Sequence, residues 1–474
     1  MPYLELTEKK YCGRIRKEPS WIFYSVIRRY VRYARTKKRP MKQKTVYIAV
    51  SADVLHSGHI KIIEEGAKLG DVVIGLLTDE AIATYKRMPV FGYDERRRIL
   101  SSLRCVSHVV KQNTLSYADN LRSIKPDYVV HGDDWKTGVQ AMVRAEVIEI
   151  LSEYGGELVE IPYTRGVSGS QLDIMLRPIL NTPDVRRAKL RKLLKLKPYL
   201  RVLEASNGLT GLIVENVKIQ DGVSVKEYDA MWVSSLCDSS FKGKPDIELV
   251  DLTSRINTIN EIMDVTTKPI ILDGDTGGRV EHFVYNVKTL ERLGVSAIII
   301  EDKKGLKQNS LFGTDAVQVL DDPHDFARKI NAGKRSQVTR DFMIIARLES
   351  LIAKAGINDA IMRAKLYIKG GADGIMIHSK EKDGSEIAGF LAEFRAYAPD
   401  VPVVLVPTSY NHFTENELCA MGGKIIIYAN HLLRSAYPAM LGTARTILKY
   451  GRSKEADDAC MSIKDVLSLI PGEG

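Results

Sequence analysis

The sequence is poor in cysteine and has no long apolar run. Its five cysteines, Cys12, Cys105, Cys237, Cys419 and Cys460, are odd in number, scattered, and never spaced as a CxxC pair. Neither a disulfide framework nor a zinc site is expected from them, and a reducing compartment fits best. No stretch approaches the roughly 20 apolar residues needed to cross a bilayer. The N-terminus shows neither the apolar core nor the cleavage site of a signal peptide. These absences predict a cytoplasmic protein with no transmembrane segment. No nucleic-acid fold motif is found, so no nucleic-acid partner is expected.

What is present suggests two or three domains: 474 residues, 45% of them hydrophobic and 27% charged, suit ordinary cores. The net charge of +10 is concentrated at one end, because residues 1–44 carry 14 Lys and Arg against 3 Asp and Glu. The basic balance thus belongs to an N-terminal extension and says little about the remainder. Within it, Trp21 to Arg35 can form a helix with Ile22, Val26, Tyr30 and Tyr33 on one side, which could dock on an anionic membrane or nucleic acid but is expected to pack on its own protein or stay partly ordered.

Residues 45–172 open as a βαβ unit: a strand Thr45–Val50, a loop through His59, a helix from Ile60 to Leu69, and a strand Asp71–Leu77. His56 and His59 flank Gly58 at the start of that helix, where unpaired N–H groups favour an anion. Two imidazoles there can donate hydrogen bonds to triphosphate oxygens. His56-Ser57-Gly58-His59 resembles the HxGH signature of nucleotidyltransferases. With Tyr93 to Leu100, His131-Gly132-Asp133-Asp134-Trp135 and Thr164-Arg165-Gly166-Val167-Ser168 it resembles the cytidylyltransferases of glycerol phosphate and choline phosphate. That resemblance implies CTP as co-substrate, His56 and His59 at the transferring phosphate, and Lys86 and Arg96 on anionic oxygens. It also implies Thr164 and Ser168 on phosphate, with Asp133 and Trp135 bordering the acceptor and base pocket. Two positions depart from the family: Val50-Ser51-Ala52-Asp53 stands for Gly-Thr-Phe-Asp, and Tyr163 takes the place of an Arg.

Residues 173–198 read as a linker with a basic helix from Val185 to Lys197, stopped by Pro198. From 199 to 474, eight strand-like runs alternate with helical segments: Leu200–Ala205, Ala230–Leu236, Pro269–Asp275, Ala297–Asp302, Phe342–Leu348, Gly374–His378, Pro402–Val406 and Lys424–Ala429. The pattern predicts a (β/α)8 barrel, and the fold class of the whole chain is α/β: a Rossmann-like domain followed by the barrel. Polar residues gather at the strand ends, including Ser234 and Leu236, Asp273 and Asp275, Glu301, Arg347 and Glu349, and His378. Asp273 and Asp275, two apart on one strand, are expected to face a Mg2+ together. Arg347 can clamp a carboxylate or phosphate with paired hydrogen bonds.

Glu301-Asp302-Lys303, five residues, then Asn309-Ser310 resembles the EDKx5NS motif of phosphoenolpyruvate mutases in the isocitrate lyase superfamily. Trp232 to Leu236, Asp246, Leu272-Asp273-Gly274-Asp275-Thr276-Gly277, Ala346 to Glu349 and His378-Ser379-Lys380 follow in the family's order. The resemblance implies conversion of phosphoenolpyruvate to phosphonopyruvate, with Mg2+ held by Asp273 and, through water, by Asp275 and Glu301. Trp232, Ser234 and Leu236 would seat the substrate carboxylate. Arg347, His378, Lys307, Asn309 and Ser310 would surround the phosphoryl group, with Asp246 and the stretch from Lys303 to Ser310 excluding water. Gly274 replaces the family's Ala, and Val217 to Tyr228 reads as an insertion away from the strand ends.

An isocitrate lyase relative would need a catalytic Cys after Lys303-Lys304, where Gly305 stands. A phosphonopyruvate hydrolase is expected to lack the residue at Asn309, which favours the mutase. The N-terminal domain is expected to transfer CMP to a phosphonate such as 2-hydroxyethylphosphonate, with a non-catalytic nucleotide-binding domain as the alternative. A phosphonopyruvate decarboxylase as functional partner and a homo-oligomer complete the expectations.

Overall fold

The computed structural model describes residues 44–85, 88–136, 140–162, 181–221, 224–305 and 318–470. The basic extension, with the helix expected over Trp21 to Arg35, lies outside them. The chain divides into two compact units, the division falling near position 168 of the sequence.

In the first unit, strands β1 (Thr45–Val50), β2 (Asp71–Leu77), β3 (Val106–Gln112), β4 (Tyr128–Gly132) and β5 (Glu157–Ile161) form one sheet in the order β3-β2-β1-β4-β5. Every pairing is parallel. This is an open, doubly wound sheet, in which ligands lie beyond the strand carboxyl ends where the order reverses. Helix α1 (Ser57–Leu69) starts there, directly after β1.

The second unit is a closed barrel. Strand β6 (Leu200–Glu204), then β9 (Ala230–Val233), β10 (Ile270–Asp273), β11 (Ala297–Glu301), β12 (Met343–Leu348), β13 (Gly374–Ile377), β14 (Val403–Leu405) and β15 (Ile425–Tyr428) pair in sequence order, and β15 closes on β6. All eight strands coincide with the runs expected from sequence. Between β6 and β9, the insertion folds as a hairpin of β7 (Lys218–Asp221) and β8 (Ser224–Glu227). It precedes the amino end of β9, where Lys268 holds Glu227 at 3.3 Å, so it lies on the barrel face opposite the strand carboxyl ends.

Alternation along each strand sorts the barrel residues. Met231, Val233, Leu272, Ile298, Ile300, Ala346, Leu348 and Ile377 join the apolar core shared with the surrounding helices. The other parity, Trp232, Asp273, Glu301, Arg347 and, one residue past β13, His378, is buried toward the barrel axis.

The helix expected as a linker, α2 (Pro183–Leu196), is instead built into the barrel. Arg186 donates to the carbonyls of Met263 (3.1 Å) and Thr266 (2.5 Å), and Arg187 to that of Glu291 (2.7 Å). Arg191 reaches the Asp341 carbonyl at 3.2 Å and the Asp373 carboxylate at 2.6 Å. These acceptors precede β10, β11, β12 and β13, so the arginines satisfy helix and loop carbonyls at the barrel's amino face while Leu190 and Leu193 are buried. The basic composition that suggested a solvated connector serves to bind backbone oxygen.

Candidate active sites at the strand ends

At the carboxyl end of the barrel, β11 and β12 place Glu301 and Arg347 in register as direct neighbours. Arg347 Nη2 lies 3.1 Å from Glu301 Oε2, and its Nε donates to Glu349 Oε1 at 2.5 Å. Lys303 bridges the same two carboxylates, 3.5 Å from Glu301 and 3.3 Å from Glu349. His378 adds a fifth member, with Nδ1 3.2 Å from Glu349 Oε1. All five side chains are buried. Burial alone would raise the Glu349 carboxyl, but Arg347, His378 and Lys303 together hold it well below the usual carboxylate range.

Asp302, between two inward residues, points the other way and anchors the strand end. Its carboxylate accepts from Tyr367 Oη (2.7 Å), Arg363 Nη1 (3.2 Å) and the Glu349 backbone N–H (2.9 Å). Complete burial pushes its pKa up to about 6 despite those donors. The stretch that leaves at Lys303 returns at Leu320 in an antiparallel bridge, with Lys304 N donating to Val319 O at 2.9 Å. Lys307, Asn309 and Ser310 lie outside the described residues.

Asp273 ends β10 and accepts from the Ser235 hydroxyl (2.8 Å), the Ser235 N–H (3.3 Å) and the Asp275 N–H (3.3 Å). The expectation that Asp273 and Asp275 share a face through strand alternation needs correction. The strand stops at Asp273, and Asp275 turns with a φ of 51° so that its carboxylate accepts from Arg255 at 3.1 Å. Both are buried at one strand end, brought there by a turn. Gly274 has a local cause: a Cβ there would lie 2.7 Å from Ile298 Cδ1.

Ser234 caps the short helix Ser235–Phe241 by accepting from Cys237 N at 3.3 Å, and Leu236 lies in its first turn. Trp232 is buried on the inward parity of β9, while Asp246 is half-buried in the segment after that helix. Among the described residues no three His, Cys, Asp or Glu side chains form a ready cage for a metal. Mg2+ does not require one, since it is commonly held by one or two carboxylates and several waters. Asp273 fits a direct ligand. Asp275 is paired with Arg255, and Glu301 with Arg347 and Lys303, which suits contact through water.

Sequence reasoning placed Glu349 among the polar strand-end residues and Lys303 in the water-excluding stretch without giving either a partner, and it assigned no role to Ser235 or Arg255. The available signal for Glu349 was its position two residues after Arg347, which gives it the same parity.

In the first unit, His56 caps α1. Its Nδ1 accepts from Gly58 N at 3.1 Å, His59 Nδ1 accepts from His56 N at 3.4 Å, and the rings lie 3.8 Å apart at 31°. With Nδ1 an acceptor in both rings, each neutral imidazole carries its proton on Nε2. A Cβ at Gly58 would sit 3.0 Å from the His56 ring and press on it.

Two expected contacts turn inward instead. Arg96 is buried and donates to Phe91 O (3.0 Å), Ser51 O (2.5 Å) and Asp79 Oδ1 (2.5 Å), so it ties β1 to the following loops and is not placed to hold a ligand's oxygens. Its donors are taken by two part-buried carbonyls and a carboxylate. Trp135 is also buried: it stacks on His131 at 3.8 Å and donates Nε1–H to Glu160 at 2.9 Å. The half-buried His131 and Asp133 are the outer groups of that turn. Lys86, Thr164 and Ser168 lie outside the described residues.

The closed parallel barrel, with buried acids, an arginine and a histidine at its strand carboxyl ends, defines a (β/α)8 enzyme. Residues 190–448 match the phosphoenolpyruvate phosphomutase family, and residues 49–192 match the cytidylyltransferase-like family. The chain belongs to the phosphoenolpyruvate phosphomutase family, with a cytidylyltransferase-like domain at its N-terminal side. It is 33% identical over 285 residues to a phosphoenolpyruvate phosphomutase of Tetrahymena pyriformis, covering 60% of this chain and 91% of that one. It is also 33% identical over 269 residues to a phosphonopyruvate hydrolase of Variovorax sp. (strain Pal2), covering 56% and 91%. A crystal structure of phosphonopyruvate hydrolase in complex with oxalate and Mg2+ matches with a TM-score of 0.53 and 31% identity, covering 60% of this chain and 94% of that one. No helix among the described residues is long and apolar enough to cross a membrane.

Proposed function

We propose that the barrel interconverts phosphoenolpyruvate and phosphonopyruvate, forming the C–P bond of phosphonate biosynthesis. The observation that carries this reading is the buried set of Glu301, Arg347, Glu349, Lys303 and His378 beside Asp273. Moving a phosphoryl group from the enol oxygen to C3 of pyruvate demands positioning and charge stabilisation more than covalent chemistry. Arg347 and His378 hold the phosphoryl oxygens while the enolate turns from an oxygen to a carbon nucleophile. The backbone from Ser234 to Leu236 and the wall at Trp232 orient the carboxylate. Asp246 helps to keep water out, which a metaphosphate-like group requires. Asp273, with Asp275 and Glu301 behind water, would hold Mg2+, which neutralises carboxylate and enolate oxygens when bound. Lys307, Asn309 and Ser310 enter through the sequence motif alone.

The second reading is a phosphonopyruvate hydrolase, favoured by the equal identity to both kinds of relative. Asn309 supports the mutase against it. The N-terminal domain, on the strength of the paired His56 and His59, transfers CMP from CTP to a phosphonate such as 2-hydroxyethylphosphonate. A phosphonopyruvate decarboxylase would draw an unfavourable mutase equilibrium forward. A homo-oligomer is supported by helix α3 (His431–Tyr450), which buries none of its residues and exposes Tyr437, Met440 and Leu448.

The test is 31P NMR of the full chain with Mg2+ and phosphonopyruvate, then with CTP and 2-hydroxyethylphosphonate. Phosphoenolpyruvate is the expected product. Inorganic phosphate with pyruvate alone would replace the mutase reading by the hydrolase.

A further inference from the structure

Glu349 Oε1 accepts from Arg347 Nε at 2.5 Å and faces His378 Nδ1 at 3.2 Å, within ion-pair distance but without hydrogen-bond alignment. Its other oxygen lies 3.3 Å from Lys303. The residue is fully buried, and its backbone N–H is held by Asp302, which Tyr367 and Arg363 hold in turn. A carboxylate surrounded by three cationic or N–H groups is an acceptor only, so the His378 nitrogen facing it carries a proton. Nε2, on the far edge of the ring, is buried, and neither ring nitrogen makes an aligned hydrogen bond among the described residues. A side chain fixed at three points cannot turn without releasing both donors at once.

We propose that Glu349 is the positioning residue of the barrel site: it holds Arg347 and His378 in one orientation and fixes the imidazole tautomer, so that Nε2 is the ring atom presented to the phosphoryl group. It does not itself touch substrate. The tautomer statement stands on geometry alone, whereas the consequence for turnover rests on the mutase reading.

The experiment compares wild type with Glu349→Gln in the full chain, by phosphonopyruvate turnover and by long-range 1H–15N spectra of the histidine side chains. Glutamine keeps one acceptor but loses the charge and presents an N–H2 group to Arg347, Lys303 or the His378 N–H. We expect kcat to fall by roughly 100-fold with KM changed by less than about threefold, and the protonated-Nδ1 pattern of His378 to be lost. A variant with wild-type kcat and unchanged His378 shifts overturns the inference. If Glu349→Gln does not fold, Glu349→Asp carries the test. Its shorter carboxylate can meet only one of the two donors, so kcat should drop at least about tenfold with binding retained, and an undiminished kcat overturns the inference. Should wild type show no turnover of phosphonopyruvate, the mutase reading falls, and the His378 nitrogen shifts of wild type against variant decide Glu349 by themselves.

Discussion

The two units contain the same kinds of residue at the ends of parallel strands, yet they use them differently. In the barrel, Arg347 is buried among Glu301 and Glu349 on the inward parity of adjacent strands. In the open sheet, Arg96 is buried just as deeply and is consumed by Ser51, Phe91 and Asp79. Closure makes the difference. A closed barrel sends one parity of every strand to a common axis, so charged residues near strand ends must meet one another there. An open sheet imposes no such convergence, and a charged residue on a flanking helix is as readily recruited to satisfy loop carbonyls as to face a ligand. A motif match in a barrel therefore predicts geometry more securely than the same match around an open sheet.

The sharpest way to break the comparison is to separate the two units by mutation. Asp273→Ala should lower phosphonopyruvate turnover by on the order of 1,000-fold and leave CTP consumption unchanged. His59→Ala should do the reverse, lowering CMP transfer by on the order of 100-fold. Parallel 31P assays of both variants check this, and loss of both activities in either variant would show that the sites depend on each other.

Next is Arg96→Ala, which removes the shared donor of two part-buried carbonyls and of Asp79 Oδ1. It should destabilise the N-terminal unit by about 3 kcal/mol in urea unfolding. A variant of wild-type stability with a raised KM for CTP would return Arg96 to the phosphate site and erase the contrast with Arg347.

Gly274→Ala restores the family's residue but drives a methyl group against Ile298. It should cost about 1–3 kcal/mol of barrel stability. In a double-mutant cycle with Ile298→Ala, the pair should cost less than the sum of the single changes. Simple additivity would show that Ile298 is not what excludes the methyl group.

The smallest effect concerns Glu160, whose hydrogen bonds from Arg144, Trp135 and Lys136 outweigh burial and lower its pKa from 4.5 to about 2. Because the folded state holds the proton less tightly than the unfolded chain, its contribution is present above pH 4.5 and is lost as pH falls toward 2. Thermal melts of Glu160→Gln across that window should show a flatter dependence on pH than wild type. An identical slope would remove Glu160 from the account of Trp135.

The barrel was legible because its cause is local and repetitive. Eight short β-branched runs alternating with amphipathic helices leave few other ways to bury both faces of each strand. The parity of Asp273, Glu301, Arg347 and His378 could likewise be counted along the chain. The turn at Asp275 could not, since a non-glycine residue with positive φ leaves no sign in composition. The opening βαβ unit put His56 and His59 at the start of a helix, whereas the full order β3-β2-β1-β4-β5 and the cap by His56 came only with the structure.

What the sequence determined by itself was therefore the α/β class, the barrel with its eight strands, and the set of polar residues at their ends. Only the tertiary structure decided which of those polar groups pair. It made Glu349 the shared acceptor of Arg347, His378 and Lys303, turned Arg96 and Trp135 inward, and set the basic helix Pro183–Leu196 on barrel carbonyls. The physical reason is that alternation and amphipathicity are properties of neighbouring residues in the chain. The partner of a buried charge is whichever group the completed fold brings within hydrogen-bond reach, from strands and helices far apart in sequence.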